Sequence, residues 1–562
     1  MASPIEETSP IYHPAKPLPF ELTQHVAIFF EEKLHTQALS LLLNALSSHC
    51  ESSTPIFVPP PQHLGLAATF LVHPSTTARP KTTEEEEAPN LSLRLLRLLN
   101  SLVGPISSQL SAAFSFTHFE TSRHGGRRHT EPVRAASTTM LTPNGERKPL
   151  NLDRDIDTEL AHSASVWSRA EDFWHAVGWA FNCSVLHPAR WEHWRIWLEL
   201  MCEVLEDDWD ERLRIEREEQ SNDARALKDS MIIRYISNSN TGFGRNRRIL
   251  RSIFADGGAN AVNEFREVFH HELKLSQKKT PKGKGRMKRE AAVDIEADEY
   301  GDFYLTTDHE DYDTSSSTGG RESKRLRRST MTARPKRNAA ATTKPTLDPA
   351  TLGQASTFAI LGDITSLALR QRLLHLLSTV SEALPTHFID LQDLYHLFVE
   401  NIRSLPLPIY QAFVSPFALP YFSSAAQTTL CEFILFRLRE TAAPATDDEY
   451  LTQSKLENCF LPFAATTSSL SDNAKISIAL EALLTLLAES NMIVITEETK
   501  RLTKTGIIRR AEKAQYETRK NQLARLSEDM EWSWLCESAE RLMFLVEELI
   551  PLGGGDSASS GS

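Results

Sequence analysis

Glycine is scarce in this chain, 22 in 562 residues, which argues against collagen-like and glycine-loop-rich architectures. Cysteine is scarcer. Cys50, Cys183, Cys202, Cys431, Cys459 and Cys536 lie far apart, and no CxxC pair exists. Structural zinc needs clustered thiolates or imidazoles, so no metal site is expected. Six scattered cysteines read as reduced, partly buried thiols of an intracellular protein. Long hydrophobic runs are missing as well. The longest, Leu64 to Val72, is too short to span a bilayer. The N-terminus carries Glu6, Glu7 and five prolines before Phe20, not the basic start and apolar run of a signal peptide. The expectation is a soluble protein outside the secretory route, with no membrane partner.

Catalytic signatures are lacking too. Asp153-Arg154-Asp155-Ile156-Asp157 begins like a calcium loop, but Thr158 and Ala164 stand where the glycine and the bidentate glutamate belong. His271-Glu272 opens like a zinc-protease helix, yet Leu275 replaces the second histidine. Gly242-Phe243-Gly244-Arg245-Asn246-Arg247 lacks the third glycine of a dinucleotide fingerprint. No GxxxxGK[ST] loop or GxSxG elbow occurs. His187 and His193 are too isolated to nominate as ligands. The reading is a non-enzyme with no catalytic residues, cofactor or small-molecule substrate.

What is present is a strong charge asymmetry. The chain has 61 Lys+Arg against 74 Asp+Glu, a net charge of -13. Between Gln277 and Pro345 there are 16 basic and 11 acidic residues, a local +5, so the remainder carries 45 against 63, or -18. Any nucleic-acid contact is therefore expected in that segment. It falls into three blocks. The first holds Lys278, Lys279, Lys282, Lys284, Arg286, Lys288 and Arg289, candidates for phosphate contact. The second, Asp294 to Asp313, interleaves nine carboxylates with Tyr300, Phe303, Tyr304 and Tyr312, which would suit a basic partner. The third contains Lys324, Arg325, Arg327 and Arg328, followed by Arg334, Lys336 and Arg337. Both clusters have the form of nuclear import signals, which are read as extended peptides. Phosphate on the adjacent Ser329 or Thr330 would weaken the first by charge cancellation.

Elsewhere apolar residues recur at spacings of three and four. Val26, Phe30, Leu34, Ala38, Leu41 and Ala45 mark one buried helical face. Leu91 to Phe119 is helical, with a break at Gly104-Pro105. Seven of the nine tryptophans lie between Trp167 and Trp209. Trp167, Ala170, Trp174, Val177 and Phe181 form one stripe; Trp191, Trp194, Leu198, Met201 and Leu205 form another. With His187-Pro188 between them, they predict a helical hairpin whose aromatic seam is core. The acidic run Glu206 to Glu211 is expected to be a solvated face, with half of a charge-matched interface as the alternative. In the C-terminal part, Leu369, Leu373, Leu376 and Val380 form one face, and Leu391, Leu394, Phe398 and Ile402 the next. Ile507 to Leu526 is expected as an exposed helix. Met492 to Thr496 is the one expected strand, a buried one, although Ile493 to Glu498 also has the form of a SUMO-interacting segment.

The expected organisation is all-α: an irregular array of antiparallel helix pairs in two regions separated by a long disordered charged linker. Its boundaries are a disordered N-terminus 1–19, a helical region 20–121, a linker 122–159, a Trp-rich helical block 160–275, a disordered linker 276–350, a helical domain 351–551 and a tail 552–562. The function this implies is a nuclear scaffold or adaptor subunit in chromatin, DNA repair or chromosome maintenance, with protein subunits as partners. The alternative is a factor that binds nucleic acid directly, nonspecifically and weakly, through the basic clusters.

Overall fold

A proline-rich lead and a distant aliphatic triplet meet first. Ala15–Pro17 (β1) pairs in parallel with Ile56–Val58 (β2), in the register Ala15↔Ile56, Lys16↔Phe57 and Pro17↔Val58. Leu18 N–H donates to Val58 O at 3.0 Å and Ile56 N–H to Pro14 O at 2.8 Å. The alternation puts the missing N–H of Pro17 on the outer edge, where no donor is needed. This corrects the expectation of an unstructured lead for residues 12–19; residues 1–11 lie outside the described residues. In the computed structural model the described residues are 12–48, 55–117, 156–219, 224–238, 244–274, 361–416, 422–444, 451–514 and 522–549.

Almost everything else is helix. The first group is α1 (Phe20–Glu31), α2 (His35–Ser47), α3 (Pro61–Phe70), α4 (Thr83–Val103) and α5 (Leu110–Ala113). Left-handed Lys33, φ 61°, separates α1 from α2, so the stripe from Val26 to Ala45 belongs to two helices. α4 begins at Thr83, just before the four glutamates Glu84 to Glu87, and the side chain of its N-cap, Thr82, accepts from Glu85 N–H. It ends at the expected Gly104-Pro105 break.

The central group is α6 (Val166–Arg169), α7 (Phe173–Leu186), α8 (Pro188–Glu219), α9 (Arg225–Lys228), α10 (Met231–Ser237), α11 (Arg245–Ile253) and α12 (Ala259–Glu264). The first tryptophan stripe is interrupted. Ala170 leaves the helical region at ψ 139°, and Asp172 restarts the helix by accepting from His175 N–H. α8 has 32 residues and is thus about 48 Å long. All seven tryptophans of this block are buried, so the aromatic seam is core.

The last group is α13 (Ile364–Ala383), α14 (Leu391–Ile402), α15 (Leu407–Val414), α16 (Ser424–Leu438), α17 (Gln453–Cys459), α18 (Leu470–Glu489), α19 (Glu497–Lys513) and α20 (Gln522–Phe544). Leu369, Leu373, Leu376 and Val380 are buried, as their spacing requires. The exposed helix expected over Ile507 to Leu526 starts earlier, at Glu497, and buries Arg510. The helices on both sides of the central segment belong to one compact unit, Met1–Ser276 with Pro349–Ser562. Gln277–Asp348 is a second unit and lies outside the described residues.

The acidic middle of α8 is not a solvated face. Glu206 accepts from Arg372 Nε at 2.6 Å and Nη2 at 2.5 Å. Asp207 accepts from Asn100. Asp208 accepts from Arg212 Nε at 2.9 Å and from Met231 N–H at 2.8 Å, and Glu211 from Ile106 N–H at 3.2 Å. One run of acids thus tethers α4, α10 and α13 to a single helix. Burial raises the carboxyls of Asp207, Asp208 and Glu211, the usual effect of desolvating an anion.

Candidate protein-docking groove

Among the described residues, an open groove of about 1090 Å³ runs along α16. Its floor is one helical stripe. Ser424, Thr428, Glu432 and Phe436 recur every four residues, with Ala425, Thr429 and Phe433 beside them. From Ser424 to Phe436 the stripe runs about 18 Å at 1.5 Å per residue. One wall is Asp390 to His396 at the start of α14. The other is Leu451, Lys455, Leu487 and Met492.

Aromatic contacts set the floor. Phe433 stacks on Tyr395 with centroids 6.0 Å apart and meets His396 edge-on at 4.9 Å. Phe436 packs edge-on against Phe460 at 4.9 Å. The Arg439 guanidinium lies over both rings, at 4.5 and 5.3 Å. Between floor and wall, Lys455 Nζ sits 2.5 Å from Glu432 Oε1, with side chains 4% and 11% exposed. The pair cancels, which leaves the floor without net charge.

Three arginines hold the turn that carries Phe460. Arg439 Nη1 donates to Cys459 O at 2.8 Å and Arg509 Nη1 to Pro462 O at 3.2 Å. Arg510 Nη1 donates to Leu461 O at 3.3 Å and to Phe463 O at 3.1 Å. The turn comes so close to α19 that a Cβ at Gly506 would sit 1.8 Å from Leu461 O. Arg510 is fully buried, and desolvation pushes its guanidinium down to about 9.

The expected strand Met492–Thr496 is not a strand. The amide of Gln453 takes its place as a partner, donating to Val494 O at 2.8 Å and accepting from Val494 N–H at 3.2 Å. Glu497 and Glu498 are the first turn of α19, capped by Thr496. The segment therefore forms a rim on which Met492 is 62% and Val494 49% exposed.

The residues nominated from sequence are not among those the structure describes. The import clusters Lys324 to Arg337, the phosphate candidates Lys278 to Arg289 and the aromatics Tyr300, Phe303, Tyr304 and Tyr312 all lie outside the described residues. The zinc-like His271-Glu272 pair has another use. Glu272 is 1% exposed and accepts from Arg190, from Trp179 Nε1 at 3.0 Å and from Trp194 Nε1 at 2.6 Å. Five described cysteines are free, and all but Cys536 are buried. Among the described residues no helix is long and apolar enough to cross a membrane.

Sequence reasoning missed the groove. The α16 stripe mixes serine, threonine, glutamate and phenylalanine, and nothing in it marks a surface left uncovered. The exposure of Phe436 and Met492 is a tertiary fact. No protein-family model matches the chain, and no curated protein matches it.

Proposed function

We propose that this chain is a non-catalytic scaffold or adaptor subunit of a nuclear complex that acts on chromatin, in DNA repair or in chromosome maintenance. The observation that carries the reading is the α16 groove: a helical face about 18 Å long whose one charged side chain is paired, walled on both sides and rimmed by exposed Met492. That shape suits one amphipathic partner helix presenting an uncharged face, the helix-in-groove mode of recognition. Phe433 and Phe436 supply aromatic anchors, and Ser424, Ala425 and Thr428 leave room for close helix approach. The basic clusters Lys324–Arg328 and Arg334–Arg337 support a nuclear address.

The test has two parts. Full-length chain purified from nuclear extract should carry stoichiometric protein subunits, and Thr428→Trp, which fills the groove, should lose at least one of them. Changing Lys324, Arg325, Arg327, Arg328, Arg334, Lys336 and Arg337 to Ala should shift a fluorescent fusion to the cytoplasm. A chain recovered alone, or bound only to nucleic acid in a salt-sensitive way, would contradict the scaffold reading. Unchanged nuclear retention would contradict the address.

A further inference from the structure

The two helical halves are joined in sequence through residues 275–360, yet they meet directly. At the start of α13, Asp363 accepts from Trp191 Nε1 at 3.3 and 3.2 Å. Ser366 Oγ donates to Ser184 Oγ at 3.1 Å. One turn on, Arg370 is fully buried. It donates to Ser366 Oγ at 3.2 Å, to Ala255 O at 2.9 Å and to Ile253 O, and its guanidinium lies 4.0 Å from the centroid of Phe181. The carbonyl of Ile253 is at the C-terminal end of α11, the negative end of a helix dipole. Arg372 then clamps Glu206 through two parallel bonds. Phe254 meets Phe413 with centroids 5.8 Å apart.

The side-chain donors Trp191, Ser366, Arg370 and Arg372 each have an acceptor from the other half or from α13 itself. A planar guanidinium buried among carbonyls and an aromatic face is highly specific in shape, and its desolvation is compensated only when both halves are in place. From these contacts we infer that the seam is a self-sufficient interface: the N-terminal half binds the C-terminal half without the covalent connection between them. Residues 277–348 are an insertion into one body. They can be cut, modified or engaged by other molecules while the helical frame stays closed. The inference stands on seam geometry and does not depend on the function proposed above.

The experiment uses the full chain with a specific protease site inserted between Gly319 and Gly320. After complete cleavage the two fragments should co-elute at the size of the intact chain, even in roughly 0.5 M salt, where exposed charge pairs are screened. Separate elution would overturn the inference. In the cleaved protein Arg372→Glu opposes two carboxylates and should weaken association about tenfold, and adding Glu206→Arg should recover most of that loss. Association indifferent to Arg372→Glu would overturn the assignment of the seam. Circular dichroism of the uncut variants separates loss of association from loss of fold.

Discussion

Arg190 gives two hydrogen bonds to one oxygen of Glu272, at 2.9 and 2.6 Å, in a space closed to solvent. The same carboxylate takes the indole N–H groups of Trp179 and Trp194, while Arg190 also reaches Thr77 Oγ1 at 2.7 Å and Val72 O at 2.6 Å. A buried charge pair of this kind stabilises little relative to a well-packed apolar pair, but half of it is costly. Glu272→Ala should therefore destabilise the fold by about 3–5 kcal/mol, measured as a lower urea midpoint. The double variant Arg190→Met, Glu272→Met should lose less than Glu272→Ala alone. Equal losses would show that the ion pair is not what the site depends on.

Gly362 has φ +83°, and a Cβ there would lie 2.6 Å from Ser184 Oγ. Two separable penalties follow, one for backbone strain and one for the clash. Gly362→Ala should cost about 1–3 kcal/mol. Measured against Ser184→Gly alone, which already bears the cost of a glycine in α7 and the lost bond from Ser366, the double variant should remove the clash and leave the strain. Thermal unfolding of the single and double variants checks both, and no recovery in the double would mean that the clash is absent.

Burial against apolar neighbours, with Phe30 5.7 Å away, lowers the His63 imidazole to about 4. The folded value is below the ordinary 6.5, so the unfolded chain takes up the proton first. The stabilisation is complete above pH 6.5, falls as the pH drops through that window, and is gone below about 4. Its full size is about 3 kcal/mol. Replacing His63 with Leu should flatten the fall in urea midpoint between pH 7 and pH 4.5. A slope identical to that of the parent would place the acid sensitivity elsewhere, for instance at His73, which burial also lowers to about 4.

Much of the helical plan was legible because it is written in local spacing. Leu369 to Val380 and Trp191 to Leu205 form the faces their periodicity predicts. The failures share a cause. Ala15–Pro17 pairs with residues some forty positions away, and three prolines hid a strand that needs only alternate N–H groups. The stripe through Trp167 and Trp174 keeps helical spacing across a real break, because Asp172 restarts a helix at nearly the same phase. Glu206 to Glu211 looks solvated until it is known that Arg372, Asn100, Met231 and Ile106 converge on it. Glu272 shows no sign in sequence of the two indoles that hold it. The groove was invisible for the same reason, since it is defined by which side of α16 no other helix covers.

Filling that side should leave the body intact. Thr428 is half-buried, and its hydroxyl bonds only within its own helix, to Ser424 O at 2.8 Å. Thr428→Trp should change stability by no more than about 0.5–1 kcal/mol while it abolishes partner binding. A large loss of stability, read from the urea midpoint, would show that the groove is closed in the folded protein.

The most direct test of the scaffold reading is photo-crosslinking from the groove floor. A photoreactive residue at Thr429 of the full-length chain, activated in isolated nuclei, should form one dominant adduct with an amphipathic helix of another protein. Thr428→Trp should remove that adduct. No adduct above that from an outward control position such as Glu219, or adducts unaffected by the blocking substitution, would contradict the account.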